Sequence, residues 1–325
     1  MEYKRLGRTG LEISPIVLGT VNFGWLTSEA DSFAILDAAL ERGVNFIDTA
    51  NNYNAGKTES LLGRWFAQGG GRREKCVLAT KVFSRPMDWA SSDPIKRSGE
   101  WVGPNDRGLS ARHIRAAVDA SLQRLQTDHI DVYQMHHVDR RVPSEELWQA
   151  MDLCIQQGKV LYVGSSNFAG WHIAETQEYA RRSGRLGLVS EQSVYNLLNR
   201  TIELEVVPAC EAYGLGVLTY SPLAAGALAD KLPEGERGRR FFLPERSFDD
   251  YFGLCREIGH APADVALAWV AQQPGITAPI IGPRTMEQFE GNLGALDIEL
   301  EEETLQRLDE LFPGPGGPAP EAYAW

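Results

Sequence analysis

The chain has 325 residues, 43% of them hydrophobic and 23% charged, with a formal net charge of −12. This is an ordinary globular composition with enough apolar material for a sizeable core, and the length suits two domains or one large α/β barrel. The negative charge speaks against a nucleic-acid partner, which needs a basic surface, and any phosphate site must be a local basic feature set against the global field.

Taken in chain order, YKRLGRTGLEISP reads as two short strands around a Gly turn. A short apolar run, residues 17–19, precedes a helical pattern over 29–41 that carries Phe33, Ile35, Leu36, Ala39 and Leu40. Gly43 stops it, and residues 45–48 form an apolar strand ending in Asp48. Further strand candidates are 77–81, 130–136, 160–165, 188–192, 216–220 and 278–281. Helical stretches lie between them at 58–66, 110–125, 144–157, 169–182 and 202–213, with a pair at 248–258 and 262–272. In the stretch 110–125, Ile114, Val118, Leu122 and Leu125 share a face and Ser110 suits an N-cap. Eight alternating units predict a (β/α)₈ TIM barrel with an N-terminal β-hairpin and extra C-terminal helices, read as a single domain over residues 1–325. The main alternative is an open doubly wound sheet, but no GxGxxG follows the first strand. Polar residues close the strands instead, namely Asp48, Lys81, His136, Ser165 to Asn167, Gln192 and Tyr220. In a barrel these ends converge on one mouth. Three long stretches remain: the Trp- and Gly-containing 83–109, the basic 224–246, and the Pro-rich tail 313–325.

Cys76, Cys154, Cys210 and Cys255 are widely spaced and form no CxxC pair. They read as small buried residues, without a disulfide framework or zinc spacing. The N-terminus lacks a signal-peptide core and no run approaches the ~20 apolar residues of a membrane span. The expected location is cytoplasmic, with no membrane partner.

Four residues carry chemistry when taken together. Singly, Asp48 reads as a turn cap, Lys81 as a solvated strand end and His136 as a satisfied hydrogen-bonder. As a set with Tyr53 they suit general-acid chemistry on a carbonyl. A tyrosine, with a reference pKa of ~10, is a poor acid unless its anion is stabilised. An ammonium such as Lys81 does that, Asp48 compensates the ammonium, and a neutral His136 can donate to the carbonyl oxygen. No metal is needed.

The segments LGRTGLEISPIVLGT, GVNFIDTANNY, VLATK, LQRLQTDHIDVYQMH, GKVLYVGSSNF, LVSEQSVYN, GVLTYSPLAAGAL and PIIGPRTMEQFEGNLGAL, in order, resemble the aldo-keto reductases along almost the whole chain. The resemblance implies the barrel, NADPH/NADP+ extended across its mouth, a small-molecule carbonyl substrate, and Asp48, Tyr53, Lys81 and His136 as the catalytic four. It implies Ser166, Asn167 and Gln192 on the nicotinamide carboxamide and Tyr220 stacked on the ring. It places Gly19 and Thr20 as backbone contacts, Ser221, Leu223, Gly226 and Leu228 as a strap over the pyrophosphate, and Gly282, Arg284, Gln288 and Asn292 at the adenosine end. Arg284 could grip a 2′-phosphate, which favours NADP(H). The sequence departs from the family pattern at Gly291, where Glu is common, and at His137, where an aromatic or Arg is frequent. Trp25, Phe83, Trp89, Trp101 and His137 are candidate substrate-pocket residues, with loop packing as their alternative role. The competing activities are reduction of a conjugated alkene, which in the resembled family goes with a change at the His136 position, and a non-catalytic cofactor-binding regulatory subunit. The segments RWFAQGGGRREKCVLATK and FPGPGGPAPEAYAW resemble actinobacterial reductases associated with deoxysugar and antibiotic pathways, an association rather than a physical argument.

Overall fold

The structure is a computed structural model that describes residues 1–84, 87–88, 91–99, 102–229 and 248–324. Two short strands, β1 (Lys4–Arg5) and β2 (Glu12–Ile13), pair antiparallel. Eight parallel strands follow and close on themselves: β3 (Val17–Gly19), β4 (Phe46–Asp48), β5 (Val77–Val82), β6 (Ile130–Met135), β7 (Val160–Ser166), β8 (Leu188–Val194), β9 (Gly216–Tyr220) and β10 (Ala278–Ile281). They neighbour one another in sequence order, and β10 completes the ring against β3 through the pair Ile280–Val17. The expected TIM barrel, its hairpin and its extra C-terminal helices are all present.

The helices are α1 (Glu29–Glu41), α2 (Lys57–Phe66), α3 (Pro94–Ser98), α4 (Ala111–Leu125), α5 (Ser144–Gln156), α6 (Gly170–Arg182), α7 (Ile202–Tyr213), α8 (Asp249–Glu257), α9 (Pro262–Gln272), α10 (Met286–Gly294), α11 (Glu302–Leu311) and α12 (Glu321–Ala324). Ser110 caps α4 as expected, accepting the backbone N–H of His113 at 3.3 Å. The short α3 lies in the stretch expected to be loop; Asp93 caps it and Pro94 occupies its first turn.

Alternation along the strands builds two cores. Leu18, Ile47, Leu78 and Tyr133 face the helices. Val17, Phe46, Val77, Ala79, Val132, Val189, Leu218 and Ile280 pack in a separate inner cluster with Leu6 and Ile13 of the hairpin segment, both 0% exposed. The hairpin therefore plugs the end of the barrel where the strands begin. Gly7 makes the close approach possible: its φ is +56°, and a Cβ there would lie 2.5 Å from the carbonyl oxygen of Gly214.

The same parity that fills the bottom of the barrel selects what projects into its top. Two residues beyond Phe46 comes Asp48, two beyond Ala79 comes Lys81, and two beyond Val132 comes Gln134, with His136 two further on. On β8 the pairing with β7 shifts by one residue between Val163 and Ser165. This irregularity breaks the two-residue repeat, so that Val189 and Gln192, three apart, both serve the interior. All four cysteines are free and buried; burial pushes the Cys76 thiol up to about 12 and that of Cys255 to about 11.

Candidate active site

Asp48, at the end of β4, and Lys81, on β5, are almost wholly inaccessible, at 2% and 0% exposure. Lys81 Nζ donates to Asp48 Oδ2 at 2.5 Å, to the carbonyl oxygen of Thr49 at 2.9 Å and to the Tyr53 hydroxyl at 3.3 Å. The ammonium also lies 5.1 Å from the Tyr53 ring centre. Burial by itself would lower the pKa of Lys81. The charge of Asp48, that of the Tyr53 phenolate and the hydrogen bonds from both outweigh it and hold the ammonium above its ordinary value.

The second oxygen of Asp48 is also satisfied. Oδ1 accepts from the side-chain amides of Gln134 at 3.0 Å and Gln192 at 2.9 Å. The carboxylate thus meets one ammonium and two amides, the set a buried charge requires. The backbone N–H and hydroxyl of Thr20 both donate to the Asp48 carbonyl oxygen, at 3.0 and 2.9 Å. Gln134 was not among the sequence candidates. Its signal was present in the sequence as a polar residue at an inward strand position, two before His136.

Tyr53 lies in a short 3₁₀ turn just beyond β4, and its neighbours Asn54 and Ala55 take left-handed backbone conformations with φ of 47° and 56°. The His136 ring stands edge-on to that of Tyr53, centroids 6.0 Å apart at 76°. Burial, then the charges of Lys81 and His137, push the His136 pKa down to about 3. The ring is therefore neutral over the whole ordinary pH range. Its Nδ1 is buried without a hydrogen-bond partner among the described residues.

The cofactor candidates fall into three groups. At the end of β7, Asn167 is left-handed, with φ 59°. Its amide donates to the His136 carbonyl oxygen at 3.1 Å and to Ser166 Oγ at 2.9 Å, and its oxygen accepts from the Tyr220 hydroxyl at 2.9 Å. Ser166, Asn167 and Tyr220 are thus brought together, and Asn167 ties them to the strand that carries His136. Gln192 joins from below through Asp48 and also donates to Gln134 Oε1 at 3.2 Å. A second residue missed by sequence reasoning is Glu191. Its buried carboxylate accepts from the hydroxyl of Ser165, from Ser193 Oγ at 2.7 Å and from the backbone N–H of Phe168 at 3.1 Å. It therefore anchors the turn that contains Asn167. Burial, only partly opposed by these donors, raises its pKa to about 7.

The second group follows β9. Ser221, Ala224 and Ala225 are left-handed non-glycine residues, with φ of 57°, 47° and 56°, and Gly226 has φ +91°. This concentration of rarely populated conformations marks a constrained loop. Leu223 is half-buried. Leu228 is 0% exposed and packs in the outer core, so its side chain serves the fold. Most of the basic stretch 224–246 lies outside the described residues.

The third group surrounds the start of α10. Thr285 caps the helix by accepting the Gln288 N–H at 3.2 Å, and the Gln288 side chain accepts the Arg284 N–H at 2.8 Å. Arg284 thereby sits at a helix N-terminus, where an anion is favoured. Gln288 and Asn292 are one turn apart on this helix. Gly291 has open space where a side chain would stand. Gly282 is tied to the first loop by Asn22, which donates to its carbonyl oxygen at 2.8 Å. Gly19 has a structural reason of its own, since a Cβ would come within 2.8 Å of Ile280 and 2.9 Å of the Ile281 carbonyl oxygen.

Of the substrate-pocket candidates, Phe83 and His137 meet, with ring centroids 5.5 Å apart. Trp25 is exposed on the connection between β3 and α1. Trp89 and Trp101 lie outside the described residues.

The model of the Aldo/keto reductase family matches residues 15–312. Among curated proteins, the chain is 51% identical to "Uncharacterized oxidoreductase YrpG" of Bacillus subtilis, over the full length of both. It is 33% identical to versiconal hemiacetal acetate reductase of Aspergillus parasiticus, covering 96% of this chain and 97% of the relative. It is 34% identical to a probable voltage-gated potassium channel subunit beta of Oryza sativa, covering 92% of each. These relatives do not bear out the resemblance to actinobacterial deoxysugar and antibiotic reductases. On a closed eight-stranded barrel and a match across nearly the whole length, the chain belongs to the aldo/keto reductase family of oxidoreductases.

Proposed function

We propose that the chain is an NADPH-dependent reductase of aldehydes or ketones, with Tyr53 as the proton donor. The observation that carries this reading is the placement of Lys81 Nζ between Asp48, at 2.5 Å, and the Tyr53 hydroxyl, at 3.3 Å, at the barrel mouth. A substrate carbonyl that becomes an alkoxide needs a proton, and Tyr53 gives it. The resulting phenolate is stabilised by the Lys81 ammonium, which Asp48 holds in its charged form. His136, neutral and beside Tyr53, donates to the same carbonyl oxygen and aligns it. Because it carries no charge, it does not compete with Tyr53 as a strong acid.

The donor set fits a nicotinamide cofactor. Ser166, Asn167 and Gln192 offer amide and hydroxyl groups to a carboxamide, and Tyr220 offers a ring face. Gly19, Thr20 and Gly282 lie at the adjoining strand ends, and Ser221, Leu223, Gly226 and the backbone of Leu228 form the constrained strap. Arg284, with Gln288 and Asn292 on α10, supplies a fork of donors for a 2′-phosphate, which favours NADPH over NADH. When bound, the cofactor supplies the hydride.

The retained His136 supports carbonyl rather than alkene reduction. The relative named as a channel subunit keeps a regulatory reading in view, but a binding module has no need of the buried Asp48–Lys81–Tyr53 array. The test is oxidation of NADPH by the purified protein on a panel of aldehydes and ketones. Wild-type turnover is expected, with Tyr53→Phe reducing it by a factor on the order of 10³ while NADPH binding stays near normal. Turnover retained in Tyr53→Phe removes Tyr53 from the role of acid, and no turnover on any carbonyl leaves the binding-module reading standing.

A further inference from the structure

A groove between the β6–α5 connection and the start of α6 takes no part in the chemistry above. It is a cavity of about 360 Å³ whose walls include Arg140, Phe168, Trp171 and His172. It adjoins the mouth on both sides: Phe168 follows Asn167, and Arg140 lies three residues beyond His137.

Three observations point to an anion. His172 Nδ1 accepts the backbone N–H of Ala169 at 3.3 Å, which fixes the ring hydrogen on Nε2. That Nε2 has no hydrogen-bond partner among the described residues, although His172 is only 4% exposed. A buried donor without an acceptor is unfavourable, and an acceptor placed in the groove would relieve it. Arg140 is exposed and has no ion-pair partner among the described residues. Finally, α6 is a 13-residue helix, and the N–H groups of Gly170, Trp171 and His172 in its first turn have no partner within the helix.

These groups act on one another. Burial, then Arg140, then His137 push the His172 pKa down. His172 is therefore a neutral donor within electrostatic reach of both, and the strip runs from the neighbour of His136 into the groove. Two acids also line it. Asp139 is already engaged by the N–H of Leu109 and by the N–H and Nε of Arg141, at 3.2 to 3.3 Å. Arg141 offsets Asp139, and Glu175, one turn along α6 from Trp171, offsets Arg140, so the groove carries no net charge, which suits a carboxylate better than a phosphate dianion. Trp171 stacks on His172 with centroids 3.5 Å apart and, with Phe168, offers an apolar wall for the chain that joins the two ends of a ligand.

Resting on the carbonyl-reductase reading, we propose that this groove is a substrate subsite for a carboxylate, held by Arg140 and His172 Nε2–H, so that the preferred substrates are oxo acids. The test compares ω-oxo carboxylates of increasing chain length with their methyl esters. At one chain length the acid should exceed its ester in kcat/KM by about tenfold or more. Arg140→Gln and His172→Phe should each remove that preference while turnover of the esters persists, Arg140→Lys should restore part of it, and added salt should shrink it. Equal rates for acid and ester, or a preference untouched by Arg140→Gln, would overturn the proposal and leave the reductase reading intact. Calorimetry with alkanoates of the same length, which carry no carbonyl, reads the groove whether or not turnover is seen. Binding weakened about tenfold in Arg140→Gln supports the subsite even if no carbonyl is reduced, and absent or unchanged binding refutes it.

Discussion

Replacing Lys81 with Met removes one charge from the least accessible part of the site and leaves the length of the side chain almost unchanged. Two effects follow, and the structure sets the size of each. The catalytic one comes from the 3.3 Å separation between Lys81 Nζ and the Tyr53 hydroxyl. At an effective dielectric of about 20, unit charges at that distance interact by about 5 kcal/mol, so the phenolate left after proton transfer loses most of its stabilisation. Loss of kcat on the order of 10³-fold is expected. The structural effect comes from Asp48, which is 2% exposed and would lose its ammonium partner. Breaking a buried pair typically costs about 3–5 kcal/mol. The amides of Gln134 and Gln192 remain on Asp48 Oδ1, which places the cost near the lower end, about 3 kcal/mol, or a fall in Tm of about 4–5 °C. Steady-state oxidation of NADPH and thermal unfolding measure the two separately. The double variant Asp48→Asn with Lys81→Met should recover stability, because no unpaired charge remains, yet stay inactive. Lys81→Met retaining more than about a tenth of the wild-type kcat would refute the assignment of Lys81 as the group that makes Tyr53 an acid.

Three further outcomes are expected. Arg284→Ala should raise the Kd for NADPH by about tenfold or more and barely change that for NADH, because only the former carries the 2′-phosphate; equal losses by fluorescence titration would show that the phosphate is read elsewhere. Burial raises the folded-state pKa of Glu191 to about 7, against 4.5 for an ordinary glutamate. The folded chain therefore holds the extra proton between these values, and stability should decline as pH rises from 4.5 through 7. Glu191→Gln should flatten that decline in Tm while keeping the turn at Asn167, and an unchanged slope would remove Glu191 as its source. His136, with its pKa depressed to about 3, works in the opposite sense. The unfolded chain takes up a proton that the folded one refuses, so stability falls as pH drops from about 6.5 toward 3, and His136→Gln should remove part of that loss in acid unfolding curves.

The barrel itself was legible because its signals are local. Alternating apolar strands and amphipathic helices repeat eight times, Ser110 announces α4, and the strand bounds differ from the structure by a residue or two. Asp48, Lys81 and His136 were legible as residue types at strand ends and Tyr53 as a loop residue beyond one, and what the structure adds is that Lys81 touches both Asp48 and Tyr53. Gln134 and Glu191 escaped notice for different reasons. Gln134 sits at an inward position with no motif of its own. Glu191 owes its place to the register shift on β8, which no period-two reading of LVSEQSV anticipates. Leu228 and Gly19 were assigned to the cofactor by resemblance, yet each also has a packing reason that only tertiary contacts reveal.

What the sequence by itself determined is therefore the architecture and the family chemistry. Period, capping and turn residues act between near neighbours, and the polar strand ends are fixed by the same alternation that fills the core. What only the tertiary structure decided are the surroundings of the groups at the mouth: Lys81 held charged beside Asp48, His136 held neutral by burial, Glu191 pushed up by burial, and a His172 Nε2 without a partner among the described residues beside the groove. Each of these depends on burial and on charges brought in from other strands and loops, and electrostatics at a few ångströms is a property of the assembled fold.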